Sequence, residues 1–318
     1  MARDIRIVFM GTPYFAVGIL KSLLEHKFNV VGVVTAPDRP SGRGQKMNES
    51  AVKKFALEQN LHILQPTNLK DENFLAELKN LQANLQIVVA FRMLPKQVWQ
   101  LSTFGTFNLH ASLLPEYRGA APINWAIING ETKTGVTTFF IDDKIDTGEI
   151  IAQKEVEILP EENAGDLHNK LMLLGSELVV ETVQLIQNGK VITSKQPKKD
   201  LKPAPKIFKE TCKIDWTDTI DNIYNKIRGL SPYPGAWTYI QNDDQKIEAK
   251  IYKATKEIKP HSYPIGQIIT SKKEIKISVK EGFVIIEELQ LPGKRKMTVQ
   301  ELLNGYTFHT DAKVLQSL

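Results

Sequence analysis

Asn108, His110 and Asp146 are the residues whose types and spacing could do chemistry together. Asn108 and His110 lie two residues apart in FNLHASLLPEYRG (107–119), so on a strand both side chains project from one face. Asp146 belongs to the later segment IDDKIDTGE (141–149). An amide can donate to a developing oxyanion, an imidazole can move a proton, and a carboxylate can orient the ring and stabilise its cation. The three together suit direct transfer of an acyl group between two bound substrates.

The same residues have a plainer interpretation, in which His110 is a buried, hydrogen-bonded residue at a strand end and Asp146 shapes a turn. Other chemistries lack their motifs. Gly11-Thr12-Pro13 follow the first predicted strand without the glycines of a dinucleotide-binding loop, and neither a Walker loop, H-E-x-x-H nor G-x-S-x-G occurs. Cys212 is the only cysteine, which excludes a disulfide framework and a cysteine-based zinc site. The 6 histidines are scattered, so we expect no metal site.

The elements that must position these residues alternate between apolar strands and amphipathic helices. This alternation predicts an α/β fold with a doubly wound, mainly parallel, Rossmann-like sheet. The predicted strands cover 6–10, 30–35, 61–64, 84–91, 105–110, 135–142 and 149–158, and the predicted helices cover 13–24, 49–60, 72–81, 121–130 and 166–189. Ligands of such sheets bind beyond the carboxyl ends of the strands, where the loop after His110 is expected.

The second part of the chain no longer alternates between strands and helices. One helix is predicted within 215–235, and short strands around tight turns follow, which indicates a small C-terminal β-barrel of the OB-like kind. We therefore predict a catalytic domain over 1–189, a lysine-rich linker over 190–206 and a C-terminal domain over 207–318.

Charge is distributed unevenly between these parts. Residues 1–189 carry 18 basic and 21 acidic side chains, whereas residues 190–318 carry 23 and 15. Eight lysines and two acids lie in 190–213 alone. This stretch is either a solvated linker or a hinge whose lysines contact a polyanion, and the sequence leaves both open. No apolar run approaches the roughly 18 residues of a membrane span, and the first strand starts near Ile5, so we expect a cytoplasmic protein.

The motifs NLHASLLPEYRGAAP and IDDKIDTGE together resemble the folate-dependent formyltransferase family. The resemblance implies that Asn108, His110 and Asp146 are catalytic and that 10-formyltetrahydrofolate donates the formyl group. It also implies a folate-contacting loop and a second loop, carrying Asp142, that closes over the cofactor. The residues of the folate-contacting loop are Ser112, Leu113, Leu114 and Pro115.

One segment departs from the family pattern. AFRMLP (90–95) is one residue shorter than the family's pterin-reading turn and has Arg92 where glycine is usual. Phe91 remains as a candidate cofactor contact. The sequence leaves open whether Arg92 is neutral or approaches the glutamate tail of the folate.

The basic segment TAPDRPSGRGQK (35–46) resembles an insertion found in the family branch that formylates methionine on initiator tRNA. By this resemblance Arg39, Arg43 and Lys46 contact the acceptor end of initiator methionyl-tRNA, and the C-terminal barrel binds tRNA as well. Three alternatives remain: a sugar-nucleotide formyltransferase, which lacks this insertion, a formyltetrahydrofolate hydrolase, and a non-catalytic RNA-binding protein. We expect a monomer.

Overall fold

The structure is a computed structural model that describes residues 3–41, 46–197 and 201–315. Its strands are β1 (Arg6–Gly11), β2 (Asn29–Val34), β3 (Arg39–Ser41), β4 (Lys46–Asn48), β5 (Ile63–Leu64), β6 (Leu85–Val89), β7 (Thr106–His110), β8 (Lys133–Phe140), β9 (Ile150–Glu157), β10 (Ala236–Asn242), β11 (Gln245–Ile258), β12 (Ile268–Thr270), β13 (Ile275–Val279), β14 (Gly282–Gln290), β15 (Met297–Thr298) and β16 (Lys313–Leu315). Its helices are α1 (Tyr14–Glu25), α2 (Ala51–Glu58), α3 (Glu72–Asn80), α4 (Lys96–Trp99), α5 (Pro122–Ile128), α6 (Ala164–Gln187), α7 (Ile220–Gly229) and α8 (Val299–Leu303).

The chain divides into two compact units. The first comprises the residues up to Gly119, Thr134–Val156 and His168–Pro203. The second comprises Ala120–Lys133, Glu157–Leu167 and the chain from Ala204 onward.

The first unit is built on a sheet with strand order β5-β2-β1-β6-β7-β8-β9. Its pairs β2–β5, β1–β2, β1–β6 and β6–β7 are parallel, whereas β7 and β8 are antiparallel. The predicted doubly wound, mainly parallel sheet is thereby confirmed. The strands are buried as apolar runs, with Ile7, Phe9, Ile87 and Phe107 at 0% exposure, as expected for a sheet covered on both faces.

Helix α6 packs directly against β7, the strand that carries Asn108 and His110. A Cβ atom placed on Gly175 of α6 would lie 2.8 Å from Cδ2 of Leu109, closer than side-chain carbons normally approach. Glycine at this position therefore lets the helix lie against the inward-facing residue between Asn108 and His110. The packing fixes β7 from its covered face and leaves the other two side chains to the opposite face.

The second unit contains an antiparallel barrel with strand order β12-β13-β14-β11-β10-β16. The backbone N–H of Ile268 donates to the carbonyl of Ala312, and that of Val314 donates to Gly266, both at 2.9 Å, so the two ends of the sheet are joined. The predicted C-terminal β-barrel is confirmed. Its core includes Trp216, which is fully buried and whose Nε1 donates to Oγ1 of Thr238 at 2.9 Å.

Candidate active site

His110 ends β7 with its ring fixed by main chain. The residue is 6% exposed, and its Nε2 lies 2.8 Å from the carbonyl oxygen of Tyr117. Because a carbonyl only accepts, Nε2 carries the proton of this hydrogen bond. The other ring nitrogen, Nδ1, is therefore the one that can accept a further proton.

Asp146 faces that nitrogen. Its Oδ2 lies 3.8 Å from Nδ1 of His110, too long for a hydrogen bond but close enough to stabilise an imidazolium. Both side chains are nearly buried, with 7% and 13% of their surfaces exposed, so the electrostatic attraction is only weakly screened. The backbone N–H of Gly119 donates to the same Oδ2 at 3.0 Å and holds the carboxylate in place.

Asn108 lies on the same strand face as His110. It is half-buried, whereas its neighbours along β7 are buried. Val88 pairs with it on β6 and Phe139 pairs with it on β8. The structure thus brings all three predicted catalytic residues to the carboxyl end of β7.

Unusual backbone conformations surround this end of β7. Ala90 after β6, Tyr117 and Asp146 have φ of 47°, 59° and 54°, in the left-handed region that L-residues seldom adopt. Such conformations cost free energy, and they persist where surrounding contacts hold them, often at functional sites. At Tyr117 the conformation directs the carbonyl to His110.

The loop after β7 is held by buried hydrogen bonds. Ser112 is 0% exposed, and its Oγ donates to the carbonyl of Glu116 at 2.6 Å. Oγ1 of Thr137 donates to the carbonyl of Ser112 at 2.7 Å and accepts from the N–H of Leu114 at 3.0 Å. Leu114 is buried, whereas Leu113 and Pro115 are half-buried. The hydroxyl of Ser112 therefore stabilises the loop in which it lies.

Asp142 shapes the loop that carries Asp146. Its Oδ1 accepts from Oγ1 of Thr147 at 2.8 Å and from the backbone N–H of Lys144 at 2.9 Å. Both bonds lie within the loop, so Asp142 fixes its local conformation.

Arg92 binds a neighbouring loop of the same unit. Its Nη1 and Nη2 donate to the carbonyls of Thr67 and Pro66 at 3.0 Å and 2.7 Å, and the guanidinium lies 5.2 Å from the ring centroid of Phe91. Burial, and then the charge of Arg39, lower the pKa of this guanidinium. Arg92 therefore joins the turn after β6 to the segment after β5.

The basic insertion is a β3–β4 hairpin in which Arg39 pairs with Asn48. Arg39 is exposed. Arg43 lies outside the described residues, and the side chain of Lys46 is likewise not described. Nζ of Lys53 on α2 forms ion pairs with Asp38, just before β3, and with Glu49, just after β4. One lysine thus joins the two ends of the hairpin.

Three groups that hold His110 and Asp146 in place were not predicted from the sequence: the carbonyl of Tyr117, the N–H of Gly119 and the side chain of Gln196. The first two are main-chain groups, which residue type does not reveal. Nε2 of Gln196 donates to the carbonyls of Asp146 and Gly148 at 3.0 Å and 2.8 Å. A lone glutamine in a lysine-rich stretch gave no signal of this contact.

The described residues contain neither a metal-binding cluster nor a membrane-spanning helix. No group of three or more His, Cys, Asp or Glu side chains there could hold a metal ion. No helix among these residues has the length and apolar character needed to span a bilayer. Cys212 is buried in the second unit, and burial raises the pKa of its thiol, which disfavours the reactive thiolate.

The second unit presents a lysine–aromatic face, which we define as Lys209, Lys213, Trp237, Tyr239 and Lys246. Trp237 and Tyr239 alternate along β10, with their ring centroids 5.2 Å apart. Nζ of Lys246 lies 4.3 Å from the Tyr239 ring centroid, that of Lys209 lies 5.1 Å from Trp237, and that of Lys213 lies 5.8 Å from both rings. Trp237 is buried at 8% exposure, and Nζ of Lys209 pairs with the Glu248 carboxylate at 2.8 Å. Lys213, the exposed Lys246 and the half-buried Tyr239 are therefore the groups of this face that suit a phosphate-bearing partner.

Comparison with known proteins places this geometry in context. The profile described as "Formyl transferase" matches residues 5–183, and "Formyl transferase, C-terminal domain" matches residues 206–307. The methionyl-tRNA formyltransferase of Flavobacterium johnsoniae is 62% identical over 311 residues, which cover 98% of this chain and 99% of that protein. The methionyl-tRNA formyltransferase of Bacteroides thetaiotaomicron is 53% identical over 309 residues, covering 95% and 96%.

Solved structures share the fold at lower identity. WlaRD, a sugar 3N-formyl transferase crystallised in the presence of dTDP and 5-N-formyl-THF, superposes with a TM-score of 0.65 at 24% identity. The superposition covers 92% of this chain and 100% of WlaRD.

Proposed function

We propose a function from one premise: this chain belongs to the formyl transferase family. It transfers the formyl group of 10-formyltetrahydrofolate to the α-amine of methionyl initiator tRNA, giving the formylmethionyl-tRNA used to start translation. The observation that carries the reaction is the His110 ring, held by the Tyr117 carbonyl, with Asp146 at its second nitrogen and Asn108 on the same strand face. Relatives named methionyl-tRNA formyltransferase, matched over nearly their whole length, support the choice of amine.

The reaction needs one bond formed, one bond broken and one proton moved. The α-amine attacks the formyl carbon, and the carbonyl oxygen becomes an oxyanion to which the Asn108 amide donates. The proton lost by the amine passes to Nδ1 of His110, whose imidazolium is stabilised by Asp146. The bond between the formyl carbon and N10 of the folate then breaks, His110 returns the proton to N10, and tetrahydrofolate leaves.

The folate is proposed to contact Ser112, Leu113, Leu114 and Pro115. Because the Ser112 hydroxyl is bonded within the loop and Leu114 is buried, this contact would come mainly from the half-buried side chains of Leu113 and Pro115. Phe91, beside the site at the end of β6, would contact the pterin. The loop that Asp142 shapes would lie over the cofactor.

The tRNA is proposed to contact both units. Arg39, Arg43 and Lys46 of the insertion would reach its acceptor end, and the lysine–aromatic face of the second unit would bind phosphates farther along. The lysines of 190–213 would add to the attraction. Such contacts predict affinity that falls steeply with salt.

The domain bounds 1–189, 190–206 and 207–318 are proposed with this function. We propose a monomer, because the three predicted catalytic residues all lie in the first compact unit. Charged initiator tRNA is found in the cytoplasm, so we propose that the protein is located there.

The test is formyl transfer to charged initiator tRNA with 10-formyltetrahydrofolate as donor. We expect formylmethionine on the tRNA and a kcat lowered about 10²- to 10⁴-fold in His110→Ala, with tRNA affinity unchanged. The matched control is His62→Ala, which removes an exposed histidine of the same unit and leaves turnover unchanged.

Parallel reactions with a UDP-amino sugar and with water alone distinguish the alternatives. Sugar formylation or formate release without formylated tRNA would contradict the proposed amine. Tight tRNA binding without any formyl transfer would favour a non-catalytic RNA-binding protein.

A further inference from the structure

The lysine-rich linker predicted over 190–206, here called the connector, lies along the loop that carries Asp146. The backbone N–H of Ile150, at the start of β9, donates to the carbonyl of Ser194 at 2.8 Å, and the N–H of Ser194 donates back at 2.9 Å. The described residues up to Pro203 belong to the first compact unit. This part of the connector is therefore docked on the unit that holds the site.

Gln196 uses both ends of its amide in this docking. Its Nε2 bonds the carbonyls of Asp146 and Gly148, one on each side of Thr147. Its Oε1 accepts from Nε and Nη2 of Arg118 at 3.1 Å and 2.5 Å. A single side chain thus joins the Asp146 loop to the loop that follows His110.

The connector also forms hydrogen bonds with Glu116 and Tyr117, next to the carbonyl that binds His110. The backbone N–H of Tyr117 donates to the carbonyl of Lys202 at 2.7 Å, and the N–H of Lys202 donates to the Glu116 carboxylate at 2.9 Å. The carbonyl of Tyr117 is the group that accepts from His110. The connector therefore supports each member of the His110–Asp146 pair.

We propose that Gln196 is a positioning residue for catalysis, and that it acts through the main chain of Asp146; this rests on the proposed function. Asp146 adopts a left-handed conformation, which needs external contacts to persist. By satisfying two carbonyls of that turn, Gln196 fixes where the Asp146 carboxylate lies relative to Nδ1 of His110. A displacement of about 1 Å in such a group can lower a rate by roughly 10²-fold.

The experiment measures kcat and the tRNA KM of Gln196→Met, which keeps most of the side-chain volume and removes its donors and acceptor. We expect kcat to fall by up to about 10²-fold while the tRNA KM stays near the wild-type value. Gln59→Ala is the control, because it removes an exposed glutamine of the same unit at the end of α2. Thermal unfolding of each variant shows whether the protein remains folded.

The decisive comparison repeats Gln196→Met in an Asp146→Ala background. If Gln196 acts through Asp146, the second substitution causes little further loss, whereas independent effects would multiply. A kcat for folded Gln196→Met within about twofold of wild type overturns the inference. Full multiplication with the Asp146 effect overturns it too. Failure of the wild type to formylate tRNA would instead contradict the proposed function.

If Gln196→Met does not fold, Gln196→Ala and Arg118→Lys give the same comparison, the first by truncating the side chain and the second by changing its partner. Arg118→Lys keeps a cation and removes the two-point contact to Oε1 of Gln196. Loss of kcat in these variants supports the inference, and wild-type kcat in both contradicts it.

Discussion

The site at the carboxyl end of β7 and the lysine–aromatic face use polar groups in opposite ways. At the carboxyl end of β7, His110 and Asp146 are nearly buried, and each has a main-chain partner that fixes its position. On the lysine–aromatic face, Lys213 and Lys246 lie above aromatic rings of a barrel strand. The first arrangement depends on geometry, whereas the second depends on the number and sign of charges. Substitutions in the first should therefore change kcat, and substitutions in the second should change KM and its salt dependence.

After His110→Ala, the largest effect in this comparison is expected from Asn108→Ala. The variant loses the amide proposed to donate to the oxyanion, so kcat should fall about 10²- to 10³-fold. Binding of uncharged tRNA, measured by titration, should be unchanged because Asn108 belongs to the first unit and the lysine–aromatic face belongs to the second. Weaker tRNA binding with normal kcat would contradict the division between the two regions.

Gly148→Ala tests the geometry of the Asp146 loop without touching a polar side chain. A Cβ at this position would lie 1.6 Å from the carbonyl oxygen of Phe140, so the main chain beside Asp146 must move. We expect kcat to fall by up to about 10²-fold at constant tRNA KM. The control is Gly305→Ala in the second unit, where a Cβ meets no atom within 4 Å. Equal kcat in the two variants would show that the loop tolerates displacement.

The sequence predicted the side chains of the site better than the bonds that hold them. Alternation along an apolar strand was enough to place Asn108 and His110 on one face, because that period is a property of every strand. The carbonyl of Tyr117 and the docking of Ser194 were not predictable in this way, since any residue has the same main-chain groups. Gln196 was missed because lysines dominate its neighbourhood, and they indicate either a solvated linker or contacts to a polyanion.

Tertiary packing was equally hidden in the sequence. The helix predicted over 121–130 exists as α5, but Nδ2 of Asn124 donates to the carbonyl of Gly229, 105 residues later, at 2.8 Å. Local patterns encode the helix and not its distant partner. The strand and barrel predictions succeeded because they rest on local periodicity.

The lysine–aromatic face is tested by Lys213→Ala combined with Lys246→Ala. If each lysine contacts one phosphate, the slope of log affinity against log salt should decrease by about 0.7–0.9 per lysine lost. The tRNA KM should rise at constant kcat, because the change leaves the first unit intact. The matched control is Lys272→Ala, an exposed lysine between β12 and β13 of the same barrel. An unchanged salt slope in the double variant would exclude this face from the tRNA interface.

The smallest effect is expected from Lys53→Ala at the base of the basic insertion. The substitution removes the ion pairs with Asp38 and Glu49 that join the ends of the β3–β4 hairpin, so its residues would hold the acceptor end less firmly. Because ion pairs that water still reaches contribute little, the tRNA KM should rise only about two- to fivefold, with folate KM unchanged. Lys54→Ala is the control, since it removes an equal charge from the next, exposed position of α2. A similar rise in both variants would mean that net charge matters here and the joining of the hairpin ends does not.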